Sequence, residues 1–211
     1  MFCLSHTISR LIRRTICSLL LSMLVVCPSS YAGSKKASTC SKKLSFSKIK
    51  TTQKPLHIMG GELQIGHRPQ HRKIKNFARD GFTHIVTIQG PSEAALTIGR
   101  MVEENNMTWV WLPLSRASVP SSEKEDQIAE EFLSQLTKIF TDSEHPPRVY
   151  IHCAAGIHRT GMYTFALLRR LGYTFKQSKR LLYALSPQTA ENMGEERLIW
   201  ADNVGKKRPK N

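Results

Sequence analysis

The chain has 211 residues, a length that fits one folded domain with extensions. Lys and Arg total 31 against 16 Asp and Glu, giving a net charge of +15, and 40% of the residues are hydrophobic, which excludes a disordered or collagen-like chain. Five Cys are too few for a disulfide scaffold, and one short apolar run near the start excludes a polytopic membrane protein.

Residues 1–32 have the pattern of a secretory signal peptide. A basic flank ending at Arg14 precedes a 12-residue apolar stretch, Ile16 to Cys27, and Ser30 and Ala32 provide the small residues that signal peptidase reads. We therefore expect cleavage after Ala32 and export to the periplasm or out of the cell. An uncleaved signal anchor, which would tether the protein to a membrane, has the same pattern.

Much of the positive charge lies outside the predicted folded domain, which we expect to span residues 55–204. Ten Lys and Arg precede the first acidic residue, Glu62. Residues 33–54 form a basic, Ser- and Lys-rich segment without periodicity, which indicates a linker, and residues 205–211 form a basic tail. Such extensions are either simply solvated or make contacts with acidic surfaces, and we expect a monomer with no specific nucleic-acid partner.

Strand and helix patterns alternate from Leu56 onward. The turn signal Gly60-Gly61 between two short apolar runs predicts a hairpin, and the later apolar residues follow helical or strand spacing. Alternating strands and helices favour an α/β fold with a mostly parallel central sheet flanked by helices. The predicted strands are 56–59, 63–65, 84–88, 108–114 and 148–152, and the predicted helices are 69–80, 92–105, 123–141, 160–171, 175–185 and 189–202.

The ten residues HCAAGIHRTG, 152–161, follow the last predicted strand, where open α/β sheets bind their ligands. Gly156 permits a tight turn between Cys153 and Arg159, so that the intervening backbone N–H groups point inward. The positive end of the following helix adds to this field, which suits a phosphate dianion and stabilises a thiolate. The Arg159 guanidinium can bind phosphoryl oxygens in a bidentate manner, and the Thr160 hydroxyl is expected to donate to the Cys153 sulfur.

This segment resembles the signature loop of the Cys-based protein tyrosine phosphatase superfamily, in its small dual-specificity branch. The opening hairpin with Arg68-Pro69 and the strand at 84–88 extend the resemblance over residues 56–203. It implies hydrolysis of phosphotyrosine, with phosphoserine and phosphothreonine as further substrates, through a phosphocysteine on Cys153 and without a metal or cofactor. It also implies that the phosphate is held by Ala154, Ala155, Gly156, Ile157, His158 and Arg159.

This sequence departs from the resembled family at the position of the general acid. It is usually an Asp on the loop after the strand at 108–114, but residues 115–120 contain no carboxylate. The nearest acids, Glu123, Glu125 and Asp126, begin the next helix, where the helix dipole stabilises their charge. Asp126 is the candidate acid, and water, His158 or the substrate are alternatives.

Two other functions fit the same residues. A loop without a general acid also suits a phosphate- or phosphopeptide-binding module with low turnover. The positive charge suits a phosphoinositide phosphatase, although Ala154, Ile157 and His158 stand where lysines would favour polyphosphorylated rings. His152 is expected to brace the loop by hydrogen bonding, and Gln188, Glu191 and Asn192 are candidates to reach the pocket.

Overall fold

A computed structural model describes residues 55–207. The predictions for the signal peptide, the linker and the end of the basic tail fall on residues 1–54 and 208–211 and lie outside the described residues. The strands are β1 Leu56–Ile58, β2 Gly61–Gly66, β3 His84–Ile88, β4 Thr108–Leu112 and β5 Arg148–His152. The helices are α1 His71–Arg79, α2 Ala95–Glu103, α3 Glu123–Thr141, α4 His158–Arg170, α5 Phe175–Leu185, α6 Pro187–Asn192 and α7 Glu195–Gly205, with a 3-10 turn at Pro91–Glu93.

The five strands form one sheet in the order β1-β2-β5-β3-β4. β1 is antiparallel to β2, as the Gly60-Gly61 turn predicts, and all other pairs are parallel, so the predicted α/β fold class is confirmed. Because β2, β5, β3 and β4 run in the same direction, the segments that follow them meet at one edge of the sheet. β5 lies between β2 and β3, which puts the HCAAGIHRTG segment at the middle of that edge.

Apolar side chains cover both faces of the sheet. Val149 and Ile151 of β5 pack into the larger core with helices α3, α4, α5 and α7, while Tyr150 points to the smaller core under α1 and α2. Each large apolar side chain buried in this way contributes about 1.5–3 kcal/mol. No helix within residues 55–207 is long and apolar enough to cross a membrane.

Two predicted helices are interrupted. The predicted helix 189–202 is wrong as a single element, because Gly194 adopts φ +91° and separates α6 from α7. The predicted helix 92–105 likewise divides at Ala94, which has φ 60° and separates the 3-10 turn from α2. These left-handed residues redirect the chain, and the first of them allows α6 to approach the start of α4 separately from α7.

Candidate active site

Cys153 is the first residue after β5, and its side chain is buried in the loop that leads to α4. The loop curls so that the Gly156 N–H donates to the Cys153 Sγ at 3.2 Å. Gly156 has φ +75°, and a Cβ added there would lie 2.3 Å from the carbonyl carbon of Gly66. Only glycine therefore permits this turn. The N-terminus of α4 begins at His158, so its positive end faces the same loop.

The Arg159 guanidinium is fixed by neighbours on two other loops. Its Nη1 donates to Glu93 Oε2 and to the Leu114 carbonyl, each at 2.6 Å, and its Nη2 donates to Glu93 Oε1 at 2.8 Å. These bonds use three of the five N–H groups of a guanidinium. The Nε–H and the second Nη2–H remain, and they share one edge in the parallel geometry that binds two phosphoryl oxygens.

Glu93 is the last residue of the 3-10 turn that follows β3. Its Oε2 also accepts from the Gly90 N–H at 2.8 Å. The hydrogen bonds from Arg159 lower the pKa of Glu93 to about 2, so the carboxylate is ionised at neutral pH. Hydrogen bonding to Glu93 raises the pKa of Arg159 against the effect of burial, and the charge of Cys153 raises it further.

Sequence reasoning missed Glu93. A signal was available, since a carboxylate soon after β3 lies at the same sheet edge as the loop after β5 if the two strands are adjacent. That adjacency is a property of the sheet order and is not visible in the local pattern.

A chain of buried hydrogen bonds supports the loop from below. The Trp109 indole N–H donates to Thr87 Oγ1 at 2.9 Å, Thr87 Oγ1 contacts His152 Nε2 at 2.9 Å, and His152 Nδ1 contacts the Cys153 carbonyl at 3.2 Å. Since a carbonyl only accepts, the His152 Nδ1–H donates to it, and in the neutral ring Nε2 then accepts from the Thr87 hydroxyl. Burial lowers the pKa of His152 to about 4, which keeps the ring neutral. His152 thus braces the loop, as expected from the sequence.

Two further bonds hold the loop carbonyls away from its centre. The Arg68 N–H, which follows β2, donates to the Ala154 carbonyl at 3.1 Å. The hydroxyl of Thr189, buried on α6, donates to the Gly156 carbonyl at 2.7 Å. With these carbonyls engaged outside, the amides of the loop are free to face an anion inside.

The candidates beside Thr189 make no hydrogen bond to the loop within residues 55–207. Gln188, Glu191 and Asn192 are exposed on α6, and the Asn192 amide donates to the Gln188 carbonyl at 2.8 Å within the helix. Sequence reasoning therefore chose the correct helix but missed the residue that contacts the site.

The structure corrects one predicted contact, that of Thr160, and gives the candidate acid Asp126 a partner on another helix. The Thr160 hydroxyl is buried without a hydrogen-bond partner among residues 55–207, so the expected bond to the Cys153 sulfur is not formed. Asp126 lies in the first turn of α3, and its Oδ1 accepts from the Trp200 indole N–H on α7 at 3.3 Å. Asp126 therefore connects α3 to α7, and within residues 55–207 no hydrogen bond joins it to the loop from Cys153 to Arg159.

The loop between β4 and α3 covers one side of the site. Leu114 binds Arg159 through its carbonyl, and a Cβ added to Gly90 would lie 2.0 Å from the Ser115 Oγ, so this loop packs directly on the turn that ends at Glu93. His158 is exposed at the rim. No group of three His, Cys, Asp or Glu side chains in the described part of the chain is arranged to hold a metal ion.

No protein-family model and no curated protein matches the sequence, but solved structures do. Tk-PTP in its active form is 18% identical over 71% of this chain and 95% of that chain, with a TM-score of 0.57. Kinase associated phosphatase, solved with its catalytic site cysteine substituted by serine, is 12% identical over 69% of this chain and 88% of that chain, with a TM-score of 0.54. PTPMT1 is 14% identical over 68% of this chain and 89% of that chain, with a TM-score of 0.50. The chain has the fold of the Cys-based protein tyrosine phosphatases, as its signature loop predicts.

Proposed function

We propose that this protein is a Cys-dependent phosphoric monoester hydrolase that removes phosphate from phosphotyrosine. One observation carries the proposal: the Cys153 sulfur lies in a loop curled around it by Gly156, beside an Arg159 guanidinium that Glu93 holds in place. The likeness to Tk-PTP and to kinase associated phosphatase supports the same reading. A phosphoprotein or phosphopeptide is the expected substrate.

In the first step the Cys153 thiolate attacks phosphorus in line with the bond to the leaving oxygen. The loop amides from Ala154 to Arg159 and the Nε–H and Nη2–H edge of the guanidinium bind the three other phosphoryl oxygens. These donors stabilise the charge that develops in the transition state, and removing one such donor typically costs about 10²–10³-fold in rate. The carboxylate of Glu93 prevents the guanidinium from turning away while no substrate is bound.

In the second step a water molecule attacks the phosphocysteine on Cys153. The phosphorus–sulfur bond breaks, its electron pair returns to the sulfur as a thiolate, and inorganic phosphate leaves. The same loop amides and guanidinium bind the phosphoryl oxygens again, so one set of groups serves both steps. His152 takes no proton in either step because its neutral ring is fully engaged between Thr87 and the Cys153 carbonyl.

Hydrolysis of p-nitrophenyl phosphate by the full chain tests this proposal. We expect Cys153→Ser to reduce the rate to background and Arg159→Ala to reduce kcat/KM by about 10²–10³-fold. Arg100→Ala, which removes an exposed arginine from α2, is the matched control and is expected to retain activity. Equal activity of the wild type, Cys153→Ser and Arg159→Ala would contradict the proposal, whereas phosphopeptide binding without phosphate release would favour a binding module.

We also propose that the protein is exported after cleavage behind Ala32. The basic flank and the apolar stretch of residues 1–32 support this proposal. Expression of the full chain, followed by N-terminal sequencing of the exported form, should give Gly33 as the first residue. A cell-associated protein that retains Met1 would instead indicate a membrane anchor.

A further inference from the structure

Two carboxylates near the site, Glu93 in the turn after β3 and Glu125 in the first turn of α3, are held as anions by other groups. Glu93 accepts two hydrogen bonds from Arg159, at 2.6 and 2.8 Å. Glu125 accepts from the Ser121 N–H at 2.8 Å and from Arg116 at 2.9 Å, and the bonds from Ser121 lower its pKa. A carboxyl group can protonate a leaving oxygen only when it carries a proton itself, so these groups are poorly suited to act as general acids.

Asp126, the acid favoured by the sequence, is engaged elsewhere. Its Oδ1 accepts from the Trp200 indole N–H at 3.3 Å, which holds the side chain at the contact between α3 and α7. To act on a leaving group with this oxygen it would have to give up the contact with Trp200.

The charged side chain that this loop presents is a cation. Arg116 is exposed and tied to Glu125, two residues after the Leu114 carbonyl that binds Arg159. An arginine keeps its proton at every pH at which proteins are folded, so it cannot act as a general acid. In place of a side-chain carboxylic acid, the loop between β4 and α3 therefore carries the permanent positive charge of Arg116.

We propose that this site releases its leaving group as an anion, without a proton from a side chain, and that this restricts efficient substrates to phosphate esters of phenols. Phosphotyrosine is then the substrate class, and phosphoserine and phosphothreonine are poor substrates because an alkoxide leaves far less readily than a phenoxide. This inference rests on the proposed function and narrows its substrate range.

The bonds and charges balance without a general acid. The Cys153 thiolate forms the sulfur–phosphorus bond, and the phosphorus–oxygen bond breaks with its electron pair on the phenolic oxygen. Water then cleaves the phosphocysteine, which regenerates the thiolate and gives dihydrogen phosphate. The phenoxide takes its proton from that phosphate or from solvent after it has left. A general acid typically increases the rate by about 10²–10⁴-fold. This increase is absent for alkoxide leaving groups, which need a proton most.

A leaving-group series on the full chain tests the inference. kcat/KM is measured for p-nitrophenyl phosphate, phenyl phosphate, a phosphotyrosine peptide and the same peptide with phosphoserine. We expect kcat/KM to fall steeply as the leaving group becomes less acidic, with the phosphoserine peptide about 10²–10⁴-fold slower than the phosphotyrosine peptide. Asp126→Asn and Glu125→Gln are expected to leave unchanged the slope of log kcat/KM against the pKa of the leaving group.

The possible failures are distinguishable. If Cys153→Ser hydrolyses p-nitrophenyl phosphate as fast as the wild type, the proposed function itself is wrong. If turnover depends on Cys153 but kcat/KM changes little with the acidity of the leaving group, only the inference on the leaving group is overturned. It is also overturned if Asp126→Asn, Glu125→Gln or His158→Gln slows phenyl phosphate selectively and leaves p-nitrophenyl phosphate unaffected, because that residue would then be the proton donor.

Discussion

Replacing Glu93 by Gln should weaken catalysis without unfolding the protein. The substitution keeps the size and shape of the side chain but removes the charge that accepts two N–H groups of Arg159. An amide offers one acceptor oxygen, and its NH2 group would face an N–H donor of the guanidinium. Arg159 is then less firmly oriented, and its phosphate-binding edge is no longer preorganised for the transition state.

The size of this effect follows from the ion pair. A pKa of about 2 for Glu93, against 4.5 for a free carboxyl, means that the folded protein stabilises the ionised carboxylate by at most about 3 kcal/mol. The Glu93 side chain is 24% exposed, so we take about 1.5–3 kcal/mol, the range for hydrogen bonds to charged groups. If this energy is lost from the transition state, kcat/KM falls by about 10–100-fold.

The assay compares kcat, KM and the free energy of unfolding for Glu93→Gln and for Glu103→Gln, an exposed acid at the end of α2. Because the folded pKa of Glu93 is depressed, its stabilising contribution is present above about pH 4.5 and is lost as the pH falls toward 2. The wild type and Glu93→Gln should therefore converge in stability over that range. Unchanged kcat/KM in Glu93→Gln, with the fold intact, would refute the positioning role.

Three further outcomes are expected. Gly156→Ala should abolish activity, because φ +75° and a Cβ 2.3 Å from Gly66 force the loop open; activity near the wild-type level would show that the curled loop is not required. Thr189→Val should reduce kcat/KM by roughly fivefold, the equivalent of about 1 kcal/mol for one hydrogen bond to Gly156, and Thr189→Ser should restore it. His152 has a pKa of about 4 in the folded protein against 6.5 in the unfolded chain. Its contribution to the free energy of unfolding should therefore be full above pH 6.5 and decline as the pH falls toward 4. Unfolding titrations should show this decline in the wild type, and His152→Gln should remove it.

Elements with strong local patterns could be predicted from the sequence almost to the residue. The helix at Glu123–Thr141 and the strands His84–Ile88 and Arg148–His152 have the predicted limits, because their apolar periodicity is regular and turn residues flank them. The curled loop from Cys153 to Arg159 could be predicted because its residues are contiguous in the chain.

The supporting residues could not be predicted, because their partners are distant in sequence. Glu93 meets Arg159 only because β3 lies beside β5, and Thr189 meets Gly156 only because the chain turns at Gly194 and frees α6 from α7. Asp126 looked like a catalytic acid for the same reason, since its contact with Trp200 becomes visible only when α3 and α7 both pack against α4.

The proposed hydrolysis depends on a covalent bond between Cys153 and phosphorus. Rapid acid quenching of the full chain during turnover of p-nitrophenyl phosphate, followed by peptide mass spectrometry, tests it directly. We expect a phosphorylated peptide that contains Cys153 in the wild type and no such adduct in Cys153→Ser. Phosphate release without any adduct on Cys153, or an adduct on another residue that persists in Cys153→Ser, would contradict it.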